Sequence, residues 1–376
     1  MTALVQHLWL LLPLTILLSA GLAWLLIPFA MKIGWVDHPG ERKVHESKTP
    51  TIGGAGVFVA IITAFFVART TGAVPDFAAV PFFLALLMGG TVLFLTGLLD
   101  DLIELNVLLR LFLQIMVCLA IIHFTGVQLH DFGQLFSNNV FVLGWPAVAI
   151  TIFAALGVIN SFNLIDGMDG LSGAMFLIAA GGMAGFATSA GQSSMLWFLL
   201  IAMAAVLGFL LLNARLPWNA RARVFLGDSG SLLLGLVLAW SLIKLGSGTD
   251  RAFMPMTAVW LLAVPLLDTT TLIWRRWGEG RSAFSADQNH LHHAFLRAGF
   301  SAGAAWAAMT VLGLALAGIG VAFEFSALPD YFSFYAFMLI AFIYYFYMKH
   351  CWGTQRFLGR HFIHHDFTIE EPYVRS

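Results

Sequence analysis

Apolar residues fill this 376-residue chain in long runs, separated by short clusters of charge, glycine and proline. A helix needs roughly 20 apolar residues to cross the hydrocarbon core of a bilayer. Runs of that size predict helical spans near 5–30, 53–70, 80–99, 107–125, 143–160, 171–188, 194–212, 230–246, 255–274, 304–323 and 331–349. That makes eleven spans, or ten if one of the segments around 171–188 and 230–246 does not cross. Backbone groups in lipid must be paired internally, so the pattern predicts an all-α polytopic transmembrane helix bundle. Residues 1–349 form one transmembrane domain and 350–376 a tail. The run from Leu8 to Ala30 is long enough to span, and Met1 to Trp9 carries no Lys or Arg. The first helix is therefore expected to be retained, not cleaved as a signal peptide.

The Lys and Arg residues orient the bundle. If the loop after the first span is cytoplasmic, that side holds 16 of the 19 basic residues, and only Arg69, Lys244 and Arg251 fall on the other. Such a bias places the N-terminus outside and the tail in the cytoplasm. With that orientation every polar motif lands on the cytoplasmic side, whereas a transporter would hold ionisable groups near the bilayer midplane. The expected arrangement is an interfacial active site on the cytoplasmic side.

Composition agrees: 60% of residues are hydrophobic and 10% charged, against about 25% charged in a soluble globule. A formal net charge of −1 provides no basic field for a nucleic-acid partner. Cys118 and Cys351 do not suggest a disulfide framework and are expected to be unpaired thiols.

Asp100-Asp101-Leu102-Ile103-Glu104 ends the third span, where adjacent carboxylates oppose the helix dipole unless a divalent metal or cation offsets them. Arg110, one turn into the next span, is a candidate phosphate-binding cation or a flanking residue reaching for water. The run Asn160 to Gly170, Asn-Ser-Phe-Asn-Leu-Ile-Asp-Gly-Met-Asp-Gly, is dense in oxygen donors suited to Mg²⁺ or sugar hydroxyls, or to turn formation. Gly227-Asp228-Ser229-Gly230-Ser231 opens a span, where Asp and Ser suit helix capping. With a Mg²⁺-nucleotide in view, Asp228 is the leading metal ligand. His290, His292 and His293 crowd one loop, a pattern that binds metal or phosphate or moves protons. His361, His364 and His365 in the tail lack neighbouring motifs and read as surface.

Taken together, Asp100-Asp101, the Asn160–Gly170 loop, Gly227 to Ser231, His290-x-His292-His293, Arg42-Lys43-x-His45 and Thr51 to Gly54 resemble the polyprenyl-phosphate N-acetylhexosamine-1-phosphate transferases. The resemblance runs from about Gly34 to Phe300. Within the family it is similar to the undecaprenyl-phosphate N-acetylglucosamine-1-phosphate branch (the WecA type), through the His-x-His-His spacing, Pro265-Leu266-x-Asp268 and Arg297-Ala298-Gly299-Phe300. The muramoyl-pentapeptide branch (the MraY type) is the alternative. Two departures stand out: Glu104 occupies the branch's usual Asp position, and the tail is not strongly basic.

This resemblance implies a Mg²⁺-dependent enzyme, with Mn²⁺ as the other metal. It would transfer N-acetylglucosamine-1-phosphate from a UDP-N-acetylhexosamine to undecaprenyl phosphate and begin a cell-surface polysaccharide such as an O-antigen. It implies that Asp228 and Asn163 hold the metal, and that Asp100 and Asp101 position or deprotonate the lipid phosphate. Asp166, Asp169, Asn160 and Lys43 would shape substrate binding, Arg110 would meet the lipid phosphate, and His290, His292 and His293 the diphosphate. Direct attack by the lipid phosphate is expected, with an aspartyl-phosphate route left open. The lipid bilayer is the expected partner, and a homodimer is compatible with the pattern. An intramembrane prenyltransferase would need a second Asp-rich motif, and a lipid or nucleotide-sugar transporter would need internal repeats; neither is present.

Overall fold

The computed structural model describes residues 2–37, 48–71, 80–215, 218–219, 221–282, 289–326 and 328–362, with side chains described from Leu10 to Cys351. Lys43, with Arg42 and His45, lies outside the described residues, as do His364 and His365 of the tail.

Thirteen helices occur among the described residues. They are α1 (Thr2–Ile33), α2 (Gly53–Thr70), α3 (Val80–Ile103), α4 (Val107–Thr125), α5 (Ala147–Ile165), α6 (Leu171–Ser189), α7 (Ser193–Asn213) and α8 (Gly227–Gly246). After these come α9 (Pro255–Leu261), α10 (Ala263–Gly278), α11 (Leu291–Arg297), α12 (Ala302–Glu324) and α13 (Asp330–Phe362). Ten of them are long and apolar enough to cross a membrane unbroken. The segments around 171–188 and 230–246 are among these ten, as α6 and α8.

The span expected at 255–274 is not one straight helix. It is α9 and α10, bent by 83°. Pro265 stands at the third position of α10. It has no N–H to bond the Leu261 carbonyl, and its ring crowds that carbonyl, which favours a kink or break here, although α1 runs on through Pro13 and Pro28. The last helix also differs from expectation, because α13 continues past residue 349 to Phe362.

α8 is the centre of the bundle. It is apolar all round, as a helix enclosed by other helices must be, and it packs against α2, α3, α5 and α6. The approach of α3 is close because Gly97 faces the backbone of Asp228 and Ser229, where any Cβ would collide. Close backbone approach through small residues is the usual way to pack helices in lipid, where burial in hydrocarbon gives no preference for helix contact.

Two short strands, β1 (Val36–Asp37) and β2 (Thr49–Pro50), pair antiparallel before α2. The chain after β2 then clasps the segment leading into α8. Phe225 N donates to Pro50 O at 2.8 Å, and Gly53 N and Gly54 N donate to Phe225 O and Leu226 O, both at 2.9 Å. This tie fixes where α8 begins.

Candidate active site

The end of α3 and the start of α8 meet through Asp101. Its carboxylate accepts from Asp228 N at 2.9 Å and Ser229 N at 3.3 Å, so an acid that opposes its own helix dipole caps the positive end of another. Taken alone, the Asp228-Ser229 motif suited a cap, but neither residue supplies one, for α8 has no side-chain cap of its own. Two of the amides that might have bound an anion there, Asp228 N and Ser229 N, are thus already engaged by Asp101.

Asp100 faces the other way. Its carboxylate pairs with the Arg110 guanidinium and accepts from Leu105 N at 2.7 Å. The second bond depends on Glu104, which turns into the left-handed region with φ +50 and folds the chain back after α3. α4 is then started by Asn106, whose side chain accepts from Leu108 N at 2.8 Å, a standard N-cap. That places Arg110 one turn in. The same guanidinium lies 3.5 Å from Asp228 Oδ2, so it bridges two of the three carboxylates. On the far side of Asp228, Asn163 Nδ2 donates to Oδ1 at 2.6 Å and to Ser231 Oγ at 2.9 Å. Asn160, a turn earlier on α5, instead donates to Gln114 Oε1 at 2.8 Å, a half-buried polar pair between α4 and α5.

Beyond α5 the loop 166–170 carries Asp166 and Asp169. The Asp166 carboxyl accepts from Ser172 Oγ at 2.5 Å. Burial pushes it up to about 7, helped by the charges of Asp101 and Asp169 and opposed by the Ser172 bond. Asp169 pairs with Arg215 at 2.9 Å, and Gly170 N donates to Asn213 Oδ1 at 2.7 Å. Gly167 leaves room for the histidine loop: a Cβ there would come within 2.8 Å of the His292 ring.

His292 is 2% exposed, and neither ring nitrogen has a hydrogen-bond partner among the described residues. Burial, reinforced by the charges of His293 and His290, pushes it down to about 3, so it is neutral near pH 7. A buried polar ring without partners marks a place where a ligand is expected. Its neighbours His290 and His293 have ring centroids 5.5 Å and 4.1 Å away.

The sequence reading gave no role to Asp268 on α10. It is 2% exposed, and its Oδ2 lies 2.8 Å from His290 Nδ1. Its Oδ1 accepts from Leu291 N at 2.9 Å and from Tyr344 Oη at 3.0 Å. Asp268 falls inside the segment 255–274, which was counted as one straight span. The 83° bend between α9 and α10 invalidates that count, because a straight helix no longer assigns depth by position. Pro265 was the available signal. Gln114 was missed for a simpler reason, since an uncharged polar residue inside a span is no motif by itself.

The described structure thus brings Asp100, Asp101, Asn163, Asp228 and Arg110 into one cluster. Asp166 couples electrostatically to Asp101 and Asp169, and the loop packs on His292 through Gly167. Among the described residues, no group of three or more His, Cys, Asp or Glu is arranged to hold a metal ion. Mg²⁺ keeps several waters and takes one or two carboxylates plus substrate phosphates, so it does not require such a group. Three carboxylates against a single guanidinium leave an excess of negative charge that suits such a cation, and the donors are oxygens, as a hard ion requires.

Residues 83–246 match the model of glycosyl transferase family 4. The chain is 35% identical over 332 residues to the undecaprenyl-phosphate alpha-N-acetylglucosaminyl 1-phosphate transferase of Yersinia pestis, covering 88% of both chains. Proteins of the same name from Escherichia coli strain K12 and Haemophilus influenzae are 33% and 31% identical, covering 88% and 89% of this chain and 88% and 92% of theirs. This chain belongs to glycosyl transferase family 4.

Proposed function

We propose that this enzyme transfers N-acetylglucosamine-1-phosphate from UDP-N-acetylglucosamine to undecaprenyl phosphate, giving undecaprenyl-pyrophosphoryl-N-acetylglucosamine and UMP. The observation that carries this reading is the gathering of Asp100, Asp101, Asn163 and Arg110 around Asp228, with the 166–170 loop packed on the His292 ring. The names of the relatives favour N-acetylglucosamine over the muramoyl-pentapeptide substrate.

In the reaction an oxygen of the lipid phosphate attacks the sugar-bearing phosphorus. The bond from that phosphorus to the bridging oxygen breaks, and the electron pair leaves with UMP. A phosphate monoester is already largely ionised near neutral pH, so no strong base is required. Both oxygens of Asp101 are occupied by α8 amides, and Asp100 is paired with Arg110, which supports positioning over proton removal for this pair. Arg110 sits between Asp100 and Asp228 and can turn its remaining N–H groups to an arriving phosphate. Asp228 and Asn163 would hold Mg²⁺, which neutralises the diphosphate and stabilises the leaving UMP. Asp166, Asp169 and the histidine turn lie on the adjoining side, where the nucleotide sugar would bind.

The site faces the cytoplasm of a bacterial inner membrane on this reading, supported by the 16 of 19 basic residues on that side. The lipid reaches it from the bilayer and the nucleotide sugar from water. The test is a panel of radiolabelled UDP-sugars with purified protein, Mg²⁺ and undecaprenyl phosphate. Butanol-soluble label is expected from UDP-N-acetylglucosamine ahead of its C4 epimer. Lipid label from neither would overturn the assignment.

A further inference from the structure

Asp268 does more than fill a place in α10. A carboxylate at 2% exposure is costly to bury unless its oxygens are satisfied, and here one carboxylate draws together three separate elements. Oδ1 holds the first amide of α11, Leu291 N, at 2.9 Å and the Tyr344 hydroxyl of α13 at 3.0 Å. Oδ2 holds His290 Nδ1 at 2.8 Å. An ionised carboxylate only accepts hydrogen bonds, so the proton of that last contact belongs to Nδ1. The bend at Pro265 brings α10 to this point, and His290 is the residue from which the His-x-His-His turn starts.

We propose that Asp268 is a positioning residue for the transfer step, fixing the His290 ring with Nδ1–H toward α10 and Nε2 as the nitrogen left for substrate. It would act as the carboxylate partners of reactive or metal-bound histidines do, setting ring orientation and tautomer without touching the reacting atoms. The Leu291 amide bond extends the same control to the pitch of α11, and so to His292 and His293. This inference rests on the transferase reading above.

The test combines a double-substitution cycle with a tautomer measurement. Asp268→Asn keeps the shape and can still accept from Leu291 N, but it no longer requires a proton on Nδ1. It should lower kcat roughly 10- to 100-fold, the usual cost of losing such a partner, with KM for UDP-N-acetylglucosamine changed less than about threefold, since the carboxylate does not touch substrate. In a His290→Ala background the same substitution should cost less than about twofold, because a residue acting through another has nothing left to act on. Full additivity, or a wild-type kcat for Asp268→Asn, overturns the proposal. If Asp268→Asn does not accumulate as folded protein, ¹⁵N-histidine spectra of the unaltered enzyme decide, with His290 assigned by its loss in His290→Ala. Nδ1 protonated is the expected result, and Nδ1 unprotonated contradicts it. Failure of the unaltered enzyme to label lipid with any UDP-N-acetylhexosamine overturns the transferase reading instead, and the spectra still report on the positioning.

Discussion

Asp228 is held on both sides: Asn163 donates to Oδ1 at 2.6 Å and Arg110 approaches Oδ2 at 3.5 Å. Its backbone amide is bound by Asp101, so the side chain is not needed to start α8. Asp228→Asn should therefore leave expression and thermal midpoint near those of the unaltered protein. Transfer should fall on the order of 10²-fold or more, the scale seen when a group stabilising transition-state charge is removed, with a raised Mg²⁺ requirement. Equal loss of stability and activity would mean the residue is structural. Asp166 makes a pH prediction. Its carboxyl is raised by burial from 3.8 to about 7, so between those values the folded protein holds a proton that the unfolded chain has released. Stability then falls as pH rises through that window. Asp166→Asn removes the titration, and its thermal midpoint should vary less between pH 4 and pH 7 than that of the unaltered protein. Parallel profiles for the two proteins would contradict the assignment.

At the scale of elements, the active site depends on how α3 and α8 meet. Gly97 packs against the Asp228 and Ser229 backbone, whereas Gly157 on α5 has nothing within 4 Å of where a Cβ would stand. Gly97→Ala should cost roughly 1–3 kcal/mol, as overpacking does, and should displace the start of α8 with loss of transfer. Gly157→Ala should be neutral in both melting and activity assays. The helices themselves were legible in the sequence, because apolar length alone marks a span and ten helices among the described residues meet that criterion. Two features were not. The break at Leu262 was hidden because Pro265 sits in an apolar run that looks continuous by hydropathy, and a proline alone does not end a helix, as Pro13 and Pro28 inside α1 show. The capping of α8 was hidden because the cap, Asp101, comes from 127 residues away; local spacing pointed to Asp228 and Ser229 instead.

For the whole molecule, the acidic and histidine motifs were readable as a set because each is compact in sequence. Their meeting was not, since Arg110 bridging Asp100 and Asp228 or Gly167 seating His292 depends on packing between distant helices. The proposed orientation is open to direct measurement. With Cys118 and Cys351 replaced, a cysteine at Thr249 should react with an impermeant maleimide added to intact spheroplasts. One at Ser282 should react only after lysis, and the reverse pattern would invert the topology. The central claim, phosphoryl transfer between a nucleotide sugar and a membrane phosphate, is tested most directly by measuring both products at once. Purified enzyme in undecaprenyl phosphate micelles should release UMP and form undecaprenyl-pyrophosphoryl-N-acetylglucosamine, resolved by mass spectrometry, in equal amounts and only when lipid is present. UMP released without lipid, or without a matching lipid product, would contradict it.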